Sequence, residues 1–381
     1  MKIAILGLGT VGYGAYDIIQ SKEYLKDIQV KYVLDKNIEL QKVVKGETVV
    51  TSDYNIIVND DEVKIIIETM GAKNFSYECI KKALQAGKSV VTANKEVIAE
   101  HIEELTKLKE EKNVELYYEA SVGGGIPVIY PLHQASKLNN ISKIKGILNG
   151  TTNFILTKMS EENYTFADAL KLAQEKGFAE ADPTADLEGL DMVRKIAILS
   201  SIAYKGSVDL DKIYHYGISN VSKDDIDFIK ENGYILKLIA SSTLNGNEAD
   251  IRIEPSLVSA SSVFSKANYE FNIVSVDCDI NGELMFYGKG AGRYPTANAI
   301  VNDLIMCVEN DNSYSFKSVN KLEVKEALEL SKYYFRYKDE KDIDNAIVDV
   351  KKGNQVITKE ISNEEFYNIV DKVEFYGKVI K

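Results

Sequence analysis

The chain of 381 residues is long enough for two or three domains with a sizeable buried core. Its 45% hydrophobic and 27% charged residues are the composition of a soluble globular protein, and its formal charge of −12 argues against a general binder of nucleic acid or anionic membrane. No apolar run approaches the roughly 20 residues that span a bilayer, and three scattered cysteines make neither a disulfide framework nor a zinc pattern, so a reducing cytoplasm is the simplest home.

The first apolar run, Lys2–Leu6, is too short for a signal peptide and breaks at once into a glycine loop, so it reads as a buried strand. Val11, Ala15, Ile18 and Ile19 then recur at helical spacing. Ile28–Leu34 and Val63–Glu68 read as the next strands. Phe75–Ala86 reads as a helix closed by Gly87, the residue a C-cap prefers. Ser89–Thr92 is a strand, Glu96–Lys112 a charged amphipathic helix and Val114–Ala120 another strand. Repeated βα units with near-continuous apolar strands imply a parallel sheet covered on both faces. The fold class is therefore α/β at the N-terminus: a Rossmann-type, doubly wound domain over residues 1–130.

The pattern changes after Gly123-Gly124-Gly125. Ile141–Leu148 is strand-like, and helices are expected around Phe154–Met159, Thr165–Lys176 and Leu187–Tyr204. Ser222 and Asp225 have the spacing of a capping box. Asn245-Gly246 and Asn281-Gly282, each between apolar runs, are hairpin signals. An α+β domain is thus expected over 131–289. Pro295 opens a helix, Thr296–Val308, and the segment 290–320 is expected to rejoin the first domain. Strands at Tyr333–Tyr337 and Gln355–Ile361 and a helix at Asn363–Lys372 make residues 321–381 a small αβ tail.

Gly7-Leu8-Gly9-Thr10-Val11-Gly12 is a G-x-G-x-x-G between a strand and a helix. The first glycine permits the tight turn, the second lets a pyrophosphate reach the backbone, and the third lets helix and strand pack closely. Asp35, at the end of the second strand, can bond both ribose hydroxyls and would repel a 2′-phosphate, which favours NAD over NADP. The adjoining Lys36 leaves dual use open. Thr92-Ala93-Asn94-Lys95 falls at the carboxyl edge of the sheet, where ligands bind. Lys95 either faces nicotinamide and substrate or is a solvated strand-end lysine.

Residues 180–195 are rich in carboxylates and run into an apolar helix that carries Asp191 and Lys195 on one face. Burial among Met192, Val193, Ile196 and Leu199 eases proton release from Lys195, while Asp191 holds the proton on. A plain helix salt bridge is the alternative. Asp186 and Glu188 fit either a helix cap or a grip on a substrate ammonium; Pro183-Thr184-Ala185 excludes a calcium loop.

Together with these motifs, Tyr118–Pro127, Gly146–Asn153 and Gly290–Ala297 make residues 1–320 resemble homoserine dehydrogenase. That resemblance implies reversible NAD(P)H-dependent reduction of aspartate 4-semialdehyde to homoserine, on the route to threonine and methionine. It implies Lys195 as proton donor, Lys95 orienting the reacting oxygen, and Glu180, Asp191 and Asp186 binding substrate. Cofactor contacts are implied at Gly7, Gly9, Thr10, Val11, Gly12, Asp35, Met70, Gly71, Lys95, Gly177 and Gly292. A site for sodium or potassium is implied at Glu119 and the carbonyls of Val122, Gly124 and Ile126. The same likeness makes 131–289 a substrate and dimerisation domain and implies a homodimer or higher homo-oligomer. The final 50 or so residues are similar only to a shortened version of the family's regulatory ACT module.

Overall fold

The computed structural model describes residues 1–309 and 320–380; residues 310–319, part of the expected 290–320 return segment, lie outside the described residues. Two compact units emerge. The first contains Met1–Asn140, Ala197–Val208 and the described residues of 288–321, and the second contains Ile141–Ile196, Asp209–Tyr287 and the described residues of 322–381.

The first unit begins with β1 (Lys2–Leu6), α1 (Thr10–Ser21), β2 (Gln29–Leu34), β3 (Val49–Thr51), α2 (Tyr54–Val58) and β4 (Val63–Glu68). It continues with α3 (Lys73–Gln85), β5 (Ser89–Thr92), α4 (Lys95–Lys112), β6 (Leu116–Tyr117) and α5 (Ile129–Ser136). Six strands make a parallel sheet in the order β3-β2-β1-β4-β5-β6. Its central strands are mostly apolar because helices cover both faces: Ile3, Ala4, Ile5, Ile66 and Ile67 are wholly buried. Three elements escape the periodicity argument. The three-residue β3 and five-residue α2 are too short to show a period, and the N-cap residue of α5, Val128, offers no side-chain bond of its own. The expected strand Val114–Ala120 is shorter, since the chain turns into a 3-10 segment at Glu119–Ser121.

The chain then runs through β7 (Ile141–Ile147), α6 (Gly150–Glu162), α7 (Phe166–Glu175), α8 (Thr184–Leu187), α9 (Leu190–Tyr204), β8 (Gly206–Ser207), β9 (Tyr214–His215) and α10 (Lys223–Glu231). After these come β10 (Tyr234–Asn245), β11 (Glu248–Ser259), β12 (Phe271–Cys278), β13 (Gly282–Lys289) and α11 (Arg293–Val308). The last elements are β14 (Asn320–Lys321), β15 (Glu323–Val324), β16 (Tyr333–Tyr337), β17 (Val348–Lys352), β18 (Gln355–Thr358), α12 (Asn363–Val370) and β19 (Val373–Ile380).

The expected helix Leu187–Tyr204 is two helices. Gly189, at φ +79°, turns the chain between α8 and α9 in a conformation that side-chain-bearing residues rarely adopt. The helix placed at Phe154–Met159 is longer, because Asn149 caps it by accepting from Thr152 N at 2.9 Å. Helix α11 starts at Arg293 rather than Thr296, with Pro295 inside its first turn, where a missing N–H costs nothing. Within the first unit α11 packs on α1, where Gly14 leaves room for Arg293 and Ala297.

Both hairpins form on their Asn-Gly turns, with Gly246 at φ +64° and Gly282 at φ +71°. They belong to an 11-stranded mixed sheet whose main path is β13-β12-β7-β10-β11-β19-β16-β18-β17. The C-terminal segment expected as a separate tail extends this same sheet: β19 pairs parallel with β11, and β16 pairs with β19. An aromatic cluster of Tyr333, Phe335, Phe366 and Tyr376 sits beneath it. One edge of β11 is tiled in succession by β15, β9 and β19, each only two or three pairs long.

His133 is buried on α5; burial first, then Lys137, Lys109 and Lys205, push its pKa down from 6.5 to about 4. Between those values the unfolded chain binds the proton more readily, so stability should rise with pH from about 4 to about 6.5. Thermal unfolding midpoints of His133→Gln are expected to vary less with pH across that window than those of the parent. Parallel curves would remove His133 from the acid response.

Candidate functional site

In the first unit β1 leads into Gly7, which adopts φ +87° and donates to Leu34 O at 2.8 Å. No side chain fits at Gly12, where a Cβ would lie 2.0 Å from Gly7 O and 2.6 Å from Thr69 Oγ1. Gly9 caps α1 without a side-chain bond, and a Cβ there would meet nothing within 4 Å. Gly9 and Thr10 are exposed and Val11 half-buried. The helix N-terminus therefore presents backbone donors on an open side, the arrangement that receives a phosphate.

Asp35 stands just past β2, its carboxylate accepting from Leu8 N at 3.0 Å and Asn37 N at 2.9 Å. The acid is thereby fixed against the glycine loop. Met70 lies over Gly7, and a Cβ on Gly7 would come within 3.0 Å of Met70 Cα; Gly71 turns away at φ +70°.

Sequence reasoning missed the group that organises this edge. Glu68, wholly buried at the end of β4, accepts from Met70 N at 2.8 Å, Ser76 Oγ at 2.7 Å and Thr92 Oγ1 at 2.6 Å. Thr92 Oγ1 in turn accepts from Asn94 N at 3.0 Å, and Asn94 caps α4 by accepting from Val97 N at 3.2 Å. Lys95, half-buried, is the first residue of that helix. One carboxylate thus ties the Met70–Gly71 loop to the strand end that carries Lys95. The available signal was an acid closing the apolar run Ile65-Ile66-Ile67.

The Glu119–Ile126 segment also lies in the first unit. Glu119 Oε1 accepts from Val128 N and Ile129 N, both at 2.7 Å, and Oε2 from Tyr130 N at 2.8 Å. The carboxylate therefore caps α5 rather than standing open as a ligand. Among the described residues nothing donates a hydrogen bond to the carbonyls of the buried Val122, Gly124 and Ile126. Such an all-carbonyl set suits a hard monovalent cation. Gly124 and Gly125 press on the backbone around Gly290 and Pro295, where a Cβ would come within 2.4 and 2.6 Å. Gly292, at φ +121°, caps α11. Among the described residues no group of three or more His, Cys, Asp or Glu side chains is placed to hold a metal.

In the second unit the junction between β7 and α6 gathers the other candidate residues. Lys195 Nζ donates to Leu148 O at 2.8 Å and to Asp191 Oδ2 at 2.6 Å. The ion pair is largely buried, with side chains 13% and 11% exposed. Asn149, absent from the sequence-based site, donates through Nδ2 to Asp186 Oδ1 at 2.7 Å and Asp191 Oδ2 at 3.0 Å. Burial raises the pKa of Asp186, and the charge of Asp191 adds to this against the Asn149 hydrogen bond. Two carboxylates, one amide and one ammonium thus form a single network, so the i,i+4 pair is more than a surface salt bridge. Glu180 is exposed on the turn after α7, its carbonyl accepting from Gln174 at 3.1 Å, and the Asn149 network does not include it. Gly177, at φ +74°, lies on the same turn.

A parallel sheet with a glycine loop and an acid after the second strand is the frame of a nicotinamide-dependent oxidoreductase, and the open cradle at Gly9 fits a dinucleotide phosphate. Residues 7–119 match the pattern of the homoserine dehydrogenase NAD binding domain, and residues 127–305 that of homoserine dehydrogenase. The homoserine dehydrogenase of Bacillus subtilis is 39% identical over 317 residues, covering 81% of this chain and 73% of the relative. That of Helicobacter pylori is 35% identical over 376 residues, covering 96% and 88%. The crystal structure of a homoserine dehydrogenase from Thiobacillus denitrificans superposes with a TM-score of 0.91 at 28% identity, covering 100% of this chain and 98% of that one. A hyperthermophilic archaeal homoserine dehydrogenase in complex with NADPH superposes at 0.70, with 26% identity and coverage of 82% and 99%. The chain belongs to the homoserine dehydrogenase family, NAD(P)-dependent oxidoreductases of amino-acid biosynthesis.

Proposed function

We propose that this chain reduces aspartate 4-semialdehyde to homoserine with Lys195 as the proton donor. The observation that carries this is the Lys195 ammonium, anchored by Leu148 O and Asp191 beside a second, Asn149-bound carboxylate. Gly7, Gly9, Thr10, Val11, Gly12 and Asp35 would hold a nicotinamide dinucleotide, with Met70 and Gly71 on the nicotinamide side and Gly177 and Gly292 as further contacts; bound there, it would supply the hydride for the aldehyde carbon. Lys195 has three N–H donors and uses two in the network, which leaves one for the carbonyl oxygen. As charge builds on that oxygen, Lys195 delivers a proton; in the reverse direction it takes one back. Asp191, Asp186 and Glu180 bind the ammonium of the semialdehyde and, in homoserine, the hydroxyl, and Lys95 orients the reacting oxygen.

Lys195→Ala should lower kcat for semialdehyde-dependent NADH oxidation by about 10²–10⁴ while far-UV dichroism and NADH affinity stay unchanged. Unimpaired turnover would take Lys195 out of the chemistry.

We read Asp35 as favouring NAD. Its position beside the glycine loop, fixed by Leu8 N and Asn37 N, supports this. Side-by-side kinetics should show a higher kcat/KM with NADH than with NADPH, and Asp35→Asn should narrow that ratio by roughly 10-fold or more. A parent enzyme that prefers NADPH would overturn this part.

The buried carbonyls of Val122, Gly124 and Ile126, next to the Glu119 cap, support a sodium or potassium ion at that turn. Replacing both ions with choline at constant ionic strength should lower the melting temperature, and adding either back should restore it. An unchanged melting temperature would remove the cation from the reading.

A further inference from the structure

Lys237 is the fourth residue of β10 and is 1% exposed. Its ammonium donates to Asn153 Oδ1 at 2.9 Å, Ala267 O at 2.7 Å and Asn268 Oδ1 at 3.0 Å. All three N–H groups are therefore used, and all three acceptors are neutral. Burial pulls its pKa down to about 7, opposed by the charge of Glu161. An apolar side chain of similar length would avoid desolvating a charge but would leave three acceptors unpaired.

What the ammonium does is orient one amide. With Oδ1 turned to Lys237, Asn153 directs Nδ2 at the carbonyls of Ala267 and Tyr269, both at 3.0 Å, and of Phe271 at 2.9 Å. Those residues lead into β12, which pairs with β7 through Ile273 opposite Ile147, one residue before Leu148. On the other side Asn153 N donates to Asn149 O at 3.3 Å. Lys237 thus sits behind both arms of the Lys195 network, the Leu148 carbonyl and the Asn149 amide. It contacts neither Asp191 nor Lys195.

We propose that Lys237 is a positioning residue for the proton transfer, locking Asn153 so that the β7–α6 junction holds Asp191 and Lys195 in place. The proposal rests on the assignment of Lys195 above.

A double-mutant cycle on the full chain tests it, pairing Lys237→Met with Asn149→Ser, which keeps a helix-capping oxygen and loses the amide. Lys237→Met alone should lower kcat/KM for the semialdehyde about 10-fold or more while the NADH dissociation constant stays within about 2-fold. In the Asn149→Ser background the same change should cost less than about 2-fold, since the two act through one junction. Equal losses in both backgrounds, or an unchanged kcat/KM in a folded variant, overturn the proposal. If Lys237→Met does not fold, Asn268→Ala removes a single acceptor, and the same non-additivity is expected at smaller amplitude; additivity there overturns it equally. Failure of the Lys195 reading shows separately, as retained turnover in Lys195→Ala whatever the cycle gives.

Discussion

The constraint on which the second unit turns is the two-residue passage from β7 into α6. Leu148 gives its carbonyl to Lys195, and Asn149 spends its oxygen on the first turn of α6 and its nitrogen on Asp186 and Asp191. A helix cap and a carboxylate bridge are thus one side chain. Any residue at 149 that caps without an amide would leave two acidic groups facing each other in a half-buried place, where like charges repel with little screening. The neighbouring strands serve this passage: β10 and β12 flank β7 and fix its end.

The first unit solves a related problem with a carboxylate. Glu68 gathers one backbone N–H and two hydroxyls from three stretches of chain, which lets a carboxyl group lie at 0% exposure. Its partners lie on the turn at Met70, on α3 and at the end of β5. Glu119 repeats the device at the start of α5, where three N–H groups converge on it. In each case a polar group inside the protein sets the direction of a loop, while apolar burial supplies the bulk of the stability.

Much of this was legible in the chain. The parallel sheet declared itself through continuous apolar runs such as Ile65-Ile66-Ile67, and the hairpins through Asn245-Gly246 and Asn281-Gly282. Lys195 and Asp191 were visible because helical spacing is a local property. Asn149 and Glu68 were not, because their meaning lies in partners 24 to 42 positions away, which no window of sequence reveals. Lys237 was hidden for the opposite reason: within the run Tyr-Ile-Leu-Lys-Leu-Ile it looks like the polar beat of an alternating strand. The join between α8 and α9 was missed because Gly189 continues an acceptable helical pattern while its backbone breaks it.

The tiling of one edge of β11 has a consequence for how this chain assembles. A twelve-residue strand is completed on that side only when segments near residues 214, 323 and 378 have each arrived. Such distant pairings are slow to form, because each must close a long loop before any bond rewards it. During synthesis the final tile, Val373–Ile380, is also the last stretch of the described chain to leave the ribosome. Until it does, a length of hydrogen-bonding edge stays open to foreign strands.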